Sequence, residues 1–159
     1  MIQLRPYQNN FINNIRESIK LHKHILACAA TGSGKSKVFI SIAKGSVEKN
    51  RTVLIVSEST KIYGQIHKEI GDTVNIGDGI KDFYVQSNKI YVAMAQTLAK
   101  RPNLIKQFHD LKENLLIIND EAHIGTATKL LKQLTDAYLI GFTATPNYKD
   151  AKHLPELYK

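Results

Sequence analysis

The chain has 159 residues, of which 43% are hydrophobic and 23% charged, with one cysteine and a net charge of +8. Such a composition excludes a disordered tail or a fibrous repeat, and the length suits one domain with a real core. Cys28 has no partner for an intrachain disulfide or a cysteine-rich zinc site, and the longest apolar runs are far too short to cross a bilayer. A reducing, cytoplasmic setting is the expectation. The basic excess is spread over both halves of the chain, so it is not a tail. It fits a domain that meets a polyanion, or one that is merely soluble and basic.

Two periodicities alternate along the sequence. Phe11, Ile12, Ile15 and Ile19 share one helical face, with Pro6 suited to the first turn. Residues 24–30 read as a buried strand. Val38, Phe39, Ile42, Ala43 and Val47 predict a second helix, and residues 52–57 a β-branched strand. Ile62, Tyr63, Ile66 and Ile70 predict a third helix. Residues 71–88 read as loop with a short strand, and 89–95 as a strand. Leu104, Ile105, Phe108 and Leu111 predict a helix after Pro102, and 115–120 a strand buried on both faces. A helix over 124–134 carries Ala127, Leu130, Leu131 and Leu134, and 138–144 is the last strand. Strands alternating with helices predict an α/β domain whose mostly parallel central sheet has helices on both faces.

The chemistry-bearing segments fall where the strands end, which is where such sheets bind ligands. Ala29-Ala30-Thr31-Gly32-Ser33-Gly34-Lys35-Ser36 fits the phosphate-loop pattern except that alanine replaces the first glycine. Gly32 and Gly34 let backbone N–H groups turn inward as an anion nest, beside the positive end of the following helix. In that setting Lys35 reaches the β- and γ-phosphates of a nucleotide such as ATP, Ser36 offers its hydroxyl to magnesium, and Thr31 and Ser33 belong to the same ATP-binding loop. Asp120-Glu121-Ala122-His123 follows an apolar strand. Two adjacent carboxylates there are costly unless a cation shares the site. Asp120 suits the metal, and Glu121 suits a base that polarises a water for attack on the γ-phosphate. The alternative for Asp120 is a helix N-cap. His123, alone, makes no zinc site. The phosphate loop and the acids are expected on neighbouring strand tips.

These two motifs, taken with Leu4-Arg5-Pro6-Tyr7-Gln8 and Gly141-Phe142-Thr143-Ala144-Thr145-Pro146, resemble the first RecA-like domain of superfamily 2 helicases and translocases. The resemblance covers essentially the whole chain with its motifs in order, and alanine is common in that family where this chain has Ala29. It implies a RecA-like P-loop NTPase domain over residues 1–159, the N-terminal ATP-binding domain of an ATP-dependent helicase. Arg5 and Gln8 are implied at the adenine or ribose. His123, Thr143 and Thr145 are implied to pass nucleotide state to a nucleic-acid groove. Ser59, Thr60, Gln96 and Thr97 are implied at nucleic-acid phosphates, with Ser57, Glu58 and Gln65 in the same segment as the first two. The subgroup resembles DNA remodelling helicases of the phage branch-migration, RadD and restriction-motor kind, so DNA is favoured over RNA as partner.

The family's second RecA-like domain, with its arginine finger, has no counterpart in the chain. A fragment of a longer helicase with little activity alone is therefore expected. The alternatives are a nucleotide- or nucleic-acid-binding module without turnover, and an RNA helicase domain.

Overall fold

The computed structural model describes residues 4–28, 34–57, 60–77, 83–120 and 127–143. Six strands form one sheet: β1 (His24–Cys28), β2 (Thr52–Val56), β3 (Thr73–Ile76), β4 (Ile90–Ala93), β5 (Leu115–Asn119) and β6 (Tyr138–Thr143). Their order is β1-β6-β5-β2-β4-β3, and every pairing is parallel. Helix α1 (Pro6–Leu21) precedes β1, and α2 (Lys35–Glu48), α3 (Thr60–Ile70), α4 (Ala95–Ala99), α5 (Pro102–Leu111) and α6 (Thr128–Leu131) lie between strands, with 3₁₀ turns at Lys112–Asn114 and Lys132–Leu134.

Alternation along each strand divides the core into two halves. Ile25, Val53, Ile55, Val92, Ile118 and Phe142 pack against residues of α1, α2 and α3, such as Ile12, Phe39 and Ile66. Leu54, Val56, Tyr91, Ile117 and Leu139 pack against Leu98, Phe108 and Leu130 of α4, α5 and α6. Strands β2, β4 and β5 are buried along their whole length, which is why they read as unbroken apolar runs. Phe142 ties the last strand to the first two helices. Its ring lies 6.4 Å from that of Phe11 and 5.8 Å from that of Phe39.

Three elements depart from the sequence reading, the first being the strand read as buried over 24–30, since β1 is an edge strand of alternating burial with Cys28 exposed. The strand expected over 89–95 ends at Ala93, because Met94 caps α4 and Ala95 opens it. The helix expected over 124–134 is a single α turn, Thr128–Leu131, followed by the 3₁₀ turn. A 3₁₀ turn nearly eclipses i and i+3, so Leu131 and Leu134 are both buried without a longer helix. Residues 121–126 lie outside the described residues.

Candidate nucleotide site

Gly34 caps α2 in the left-handed region, at φ 78°, a conformation that glycine adopts without a Cβ penalty. Its carbonyl accepts the first helical bonds, from Lys37 N at 3.1 Å and Val38 N at 3.3 Å. The Gln8 side chain reaches the same carbonyl, Nε2 donating across 3.4 Å. Gln8 is only 3% exposed, and its Oε1 accepts from the backbone N–H of Arg5 at 2.7 Å. The start of α1 is thereby tied to the end of the phosphate loop. A Cβ at position 34 would run into the Gln8 amide.

Lys35 is the first residue of α2 and Asp120 directly follows β5. The backbone N–H of Asp120 donates to Val56 O at 2.9 Å, which pins the residue beside β2. Lys35 Nζ lies 3.0 Å from Asp120 Oδ1, with the side chains 17% and 3% exposed. On the other oxygen, Ser57 Oγ donates to Oδ2 at 3.1 Å. The cation that a buried carboxylate requires is thus supplied from within the chain.

The expectation of neighbouring strand tips is corrected here. β6 lies between β1 and β5, because β1 pairs with β6 and β6 with β5. The phosphate-loop strand and the acid strand are two spacings apart, about 10 Å. The long lysine side chain, launched from α2, closes that gap. Thr143 ends the intervening strand, fully buried and paired in register with Cys28. Cys28 is exposed, yet partial burial pushes its thiol above the ordinary value.

Asp120 Oδ1 meets the ammonium as an ion contact and has no aligned hydrogen bond, although it is buried. Ser36 Oγ, the second residue of α2, accepts a hydrogen bond from Gln65 Nε2 of α3 at 2.9 Å. A hydroxyl with one lone pair used keeps another for a metal. A hard hydroxyl and a carboxylate oxygen are a donor pair that suits magnesium.

Several expected site residues lie elsewhere or beyond view. Gln96 is exposed on α4 and Thr97 is 8% exposed. Thr31, Gly32, Ser33, Ser59, Glu121, His123 and Thr145 lie outside the described residues, as does the side chain of Thr60. Two contacts were not foreseen: Ser57 as the donor to Asp120, and Gln65 on Ser36. The sequence held no direct signal for either, since each joins segments distant in the chain. A groove of about 630 Å³ runs along α1 and β1 past Tyr7, Phe11 and Cys28, and neither Lys35 nor Asp120 lines it.

An all-parallel sheet with the phosphate-loop sequence after its edge strand β1 and an acid after the inner strand β5 is the arrangement of a RecA-like domain. The chain belongs to the family described as "Type III restriction enzyme, res subunit", which matches residues 1–148. It is 28% identical over 138 residues to the Type I restriction enzyme EcoKI endonuclease subunit of Escherichia coli (strain K12), covering 77% of this chain and 12% of that one. Solved structures share the fold. The UvsW helicase of bacteriophage T4 superposes with a TM-score of 0.69 at 18% identity, over 98% of this chain and 57% of that one. The Sulfolobus solfataricus SWI2/SNF2 ATPase core in complex with dsDNA gives 0.66 at 22% identity, over 94% and 34%. A nuclease-deletion mutant of the Type ISP restriction-modification enzyme LlaGI, bound to a DNA substrate mimic, gives 0.69 at 17%, over 91% and 18%. The chain thus spans about an eighth of its curated relative. Among the described residues no helix is long and apolar enough to cross a membrane.

Proposed function

We propose that the domain binds ATP with magnesium and serves as the N-terminal motor domain of a DNA helicase or translocase. The observation that carries this reading is the Lys35–Asp120 contact at 3.0 Å, which brings the loop lysine and the strand-end acid together. In this reading the ion pair is the resting state. When phosphates enter, Lys35 swings from Asp120 Oδ1 to the β- and γ-phosphates, which are stronger and more numerous acceptors. Asp120 keeps its Ser57 bond, and its released oxygen would hold magnesium, directly or through water. Ser36 supplies a hydroxyl ligand. Magnesium, when bound, neutralises charge on the phosphates and polarises them. Glu121 orients the attacking water, and Arg5, Gln8, Thr31, Gly32, Ser33 and Gly34 hold the nucleotide.

His123, Thr143 and Thr145 carry nucleotide state toward the nucleic acid in this proposal. Ser59, Thr60, Gln96 and Thr97 contact its phosphates, which position a strand without reading its sequence. DNA is favoured over RNA because the SWI2/SNF2 core and LlaGI structures hold DNA. A second RecA-like domain completes the motor by supplying an arginine, a contribution of about 10³–10⁵ in rate in related systems. The domain works in the cytoplasm, on nucleic acid.

Equilibrium binding of Mg-ATP to the 159-residue chain and to its Lys35→Met variant tests the proposal. Binding by the wild type and its loss in the variant are expected, with slow or absent hydrolysis. Adding a separately produced second domain should restore DNA-stimulated turnover. Equal affinity of the two chains would overturn the assignment.

A further inference from the structure

The hydrogen bond between α2 and α3 joins the prospective metal ligand to a helix outside the nucleotide motifs. Gln65 Nε2 donates to Ser36 Oγ at 2.9 Å, and both side chains are half-buried. The next residue, Ile66, is fully buried in the core half that also holds Phe39 and Ile40 of α2. Gln65 is therefore held by packing rather than by its own reach. A serine hydroxyl left alone rotates about its C–O bond, so its lone pairs have no fixed direction. With one lone pair taken by a donor on a packed helix, the other is fixed in direction.

We propose that Gln65 is a positioning residue: it orients Ser36 Oγ to receive magnesium, and it makes the metal ligand sensitive to the placement of α3. This rests on the nucleotide reading above and extends it to a residue beyond the phosphate loop. The contact has a direction. Gln65 is the donor, so the hydroxyl can accept from it and bind a cation at the same time, with its own proton turned elsewhere. Gln65 remains in place when the site is loaded, whereas Lys35 must leave Asp120. α3 runs Thr60–Ile70, so a shift of that helix would alter the hydrogen bond that Gln65 makes to the metal ligand.

The test uses the 159-residue chain with ribose-labelled fluorescent ATP as the probe, measured in MgCl₂ and in EDTA. The readout is the ratio of the two affinities, which reports the tightening due to magnesium and not the general integrity of the pocket. Gln65→Ala and Gln65→Met should each cut that ratio by about tenfold, the scale of losing a group that orients a metal ligand. Gln65→Met keeps the length and the packing without the donor, so it guards against a folding defect. Lys68→Ala, a change at an exposed position of α3, should keep the wild-type ratio. An unchanged ratio in Gln65→Met, or a parallel loss in MgCl₂ and EDTA, would overturn the positioning role and leave a structural tie between helices. Failure of the wild-type chain to bind the probe at all would instead bring down the nucleotide reading itself.

Discussion

Ser57 and Asp120 follow adjacent strands, β2 and β5, and share one buried hydrogen bond, with Ser57 Oγ donating to Asp120 Oδ2 at 3.1 Å. Both residues are under 5% exposed, so water does not replace the donor if it is removed. The serine fixes the carboxylate plane and leaves the other oxygen to Lys35. Ser57→Ala should therefore destabilise the chain by about 1–3 kcal/mol, the cost of a buried charged acceptor losing a donor. Ser57→Thr, which retains the hydroxyl, should recover most of it. Urea unfolding followed by circular dichroism measures both.

The two members of the Lys35–Asp120 pair differ in their access to solvent. The Lys35 side chain is 17% exposed and sits at a helix start, whereas Asp120 is 3% exposed. Lys35→Met leaves a buried carboxylate without its cation and should cost about 3 kcal/mol. Asp120→Asn keeps an acceptor for Ser57 and frees a lysine that can turn to water, so its cost should be clearly smaller. Urea midpoints in nucleotide-free buffer give the ranking. The reverse order would show that the pair is not the electrostatic seat of Asp120.

Gly34→Ala meets two obstacles, a positive φ of 78° and the Gln8 amide in the path of the new Cβ. The backbone term alone is about 1–2 kcal/mol. Adding Gln8→Ala removes the collision and leaves the backbone strain. The double variant should therefore be more stable than the sum of the singles predicts, by about 1 kcal/mol. Strict additivity in a double-mutant cycle would mean that the two residues do not touch.

Phe142→Ala should destabilise by about 3–5 kcal/mol, because a fully buried ring is lost between Phe11 and Phe39. The cavity lies where α1, α2 and β6 meet, so α1 and its Gln8 should loosen before the rest. Hydrogen exchange should show early loss of protection in α1.

Partial burial raises the Cys28 thiol, so less thiolate is present at any given pH than on an ordinary cysteine. Iodoacetamide should react slowly near pH 8 and faster as pH climbs above the ordinary thiol range near 8.5. The sign for stability is the same: the contribution is full below the unfolded thiol's pKa and is lost as pH rises through the raised one. Ordinary reactivity at pH 8, read by mass spectrometry, would contradict the burial.

The sheet was legible because its central strands are apolar without interruption, as in Val53–Val56 and Leu115–Ile118, and each is bounded by polar residues. Helices α1, α2 and α5 announced themselves by spacing and by proline at the starts of α1 and α5. The end of β4 was misread because Ala93, Met94 and Ala95 carry no polar break, so only backbone geometry marks the change to helix. The meeting of Lys35 and Asp120 was legible because chemistry dictates residue type there, while the ligand roles of Lys35, Ser36 and Asp120 belong to the proposal. The strand between β1 and β5 was not, since a linear motif carries no information about which strand pairs with which. The roles of Ser57 and Gln65 stayed hidden because both depend on contacts between segments distant in sequence.

The pairing of β1 with β6 has a consequence for biosynthesis. Within the described residues β1 has no other strand neighbour, and β6 lies near the opposite end of the sequence. The nascent chain therefore leaves the ribosome with its first strand unmatched until Tyr138–Thr143 follows. Long-range parallel pairing of this kind closes slowly and leaves apolar edges open to aggregation meanwhile. The lysine-bearing loop can find its seat only once β6 has emerged, and chaperone demand should be greatest in that interval.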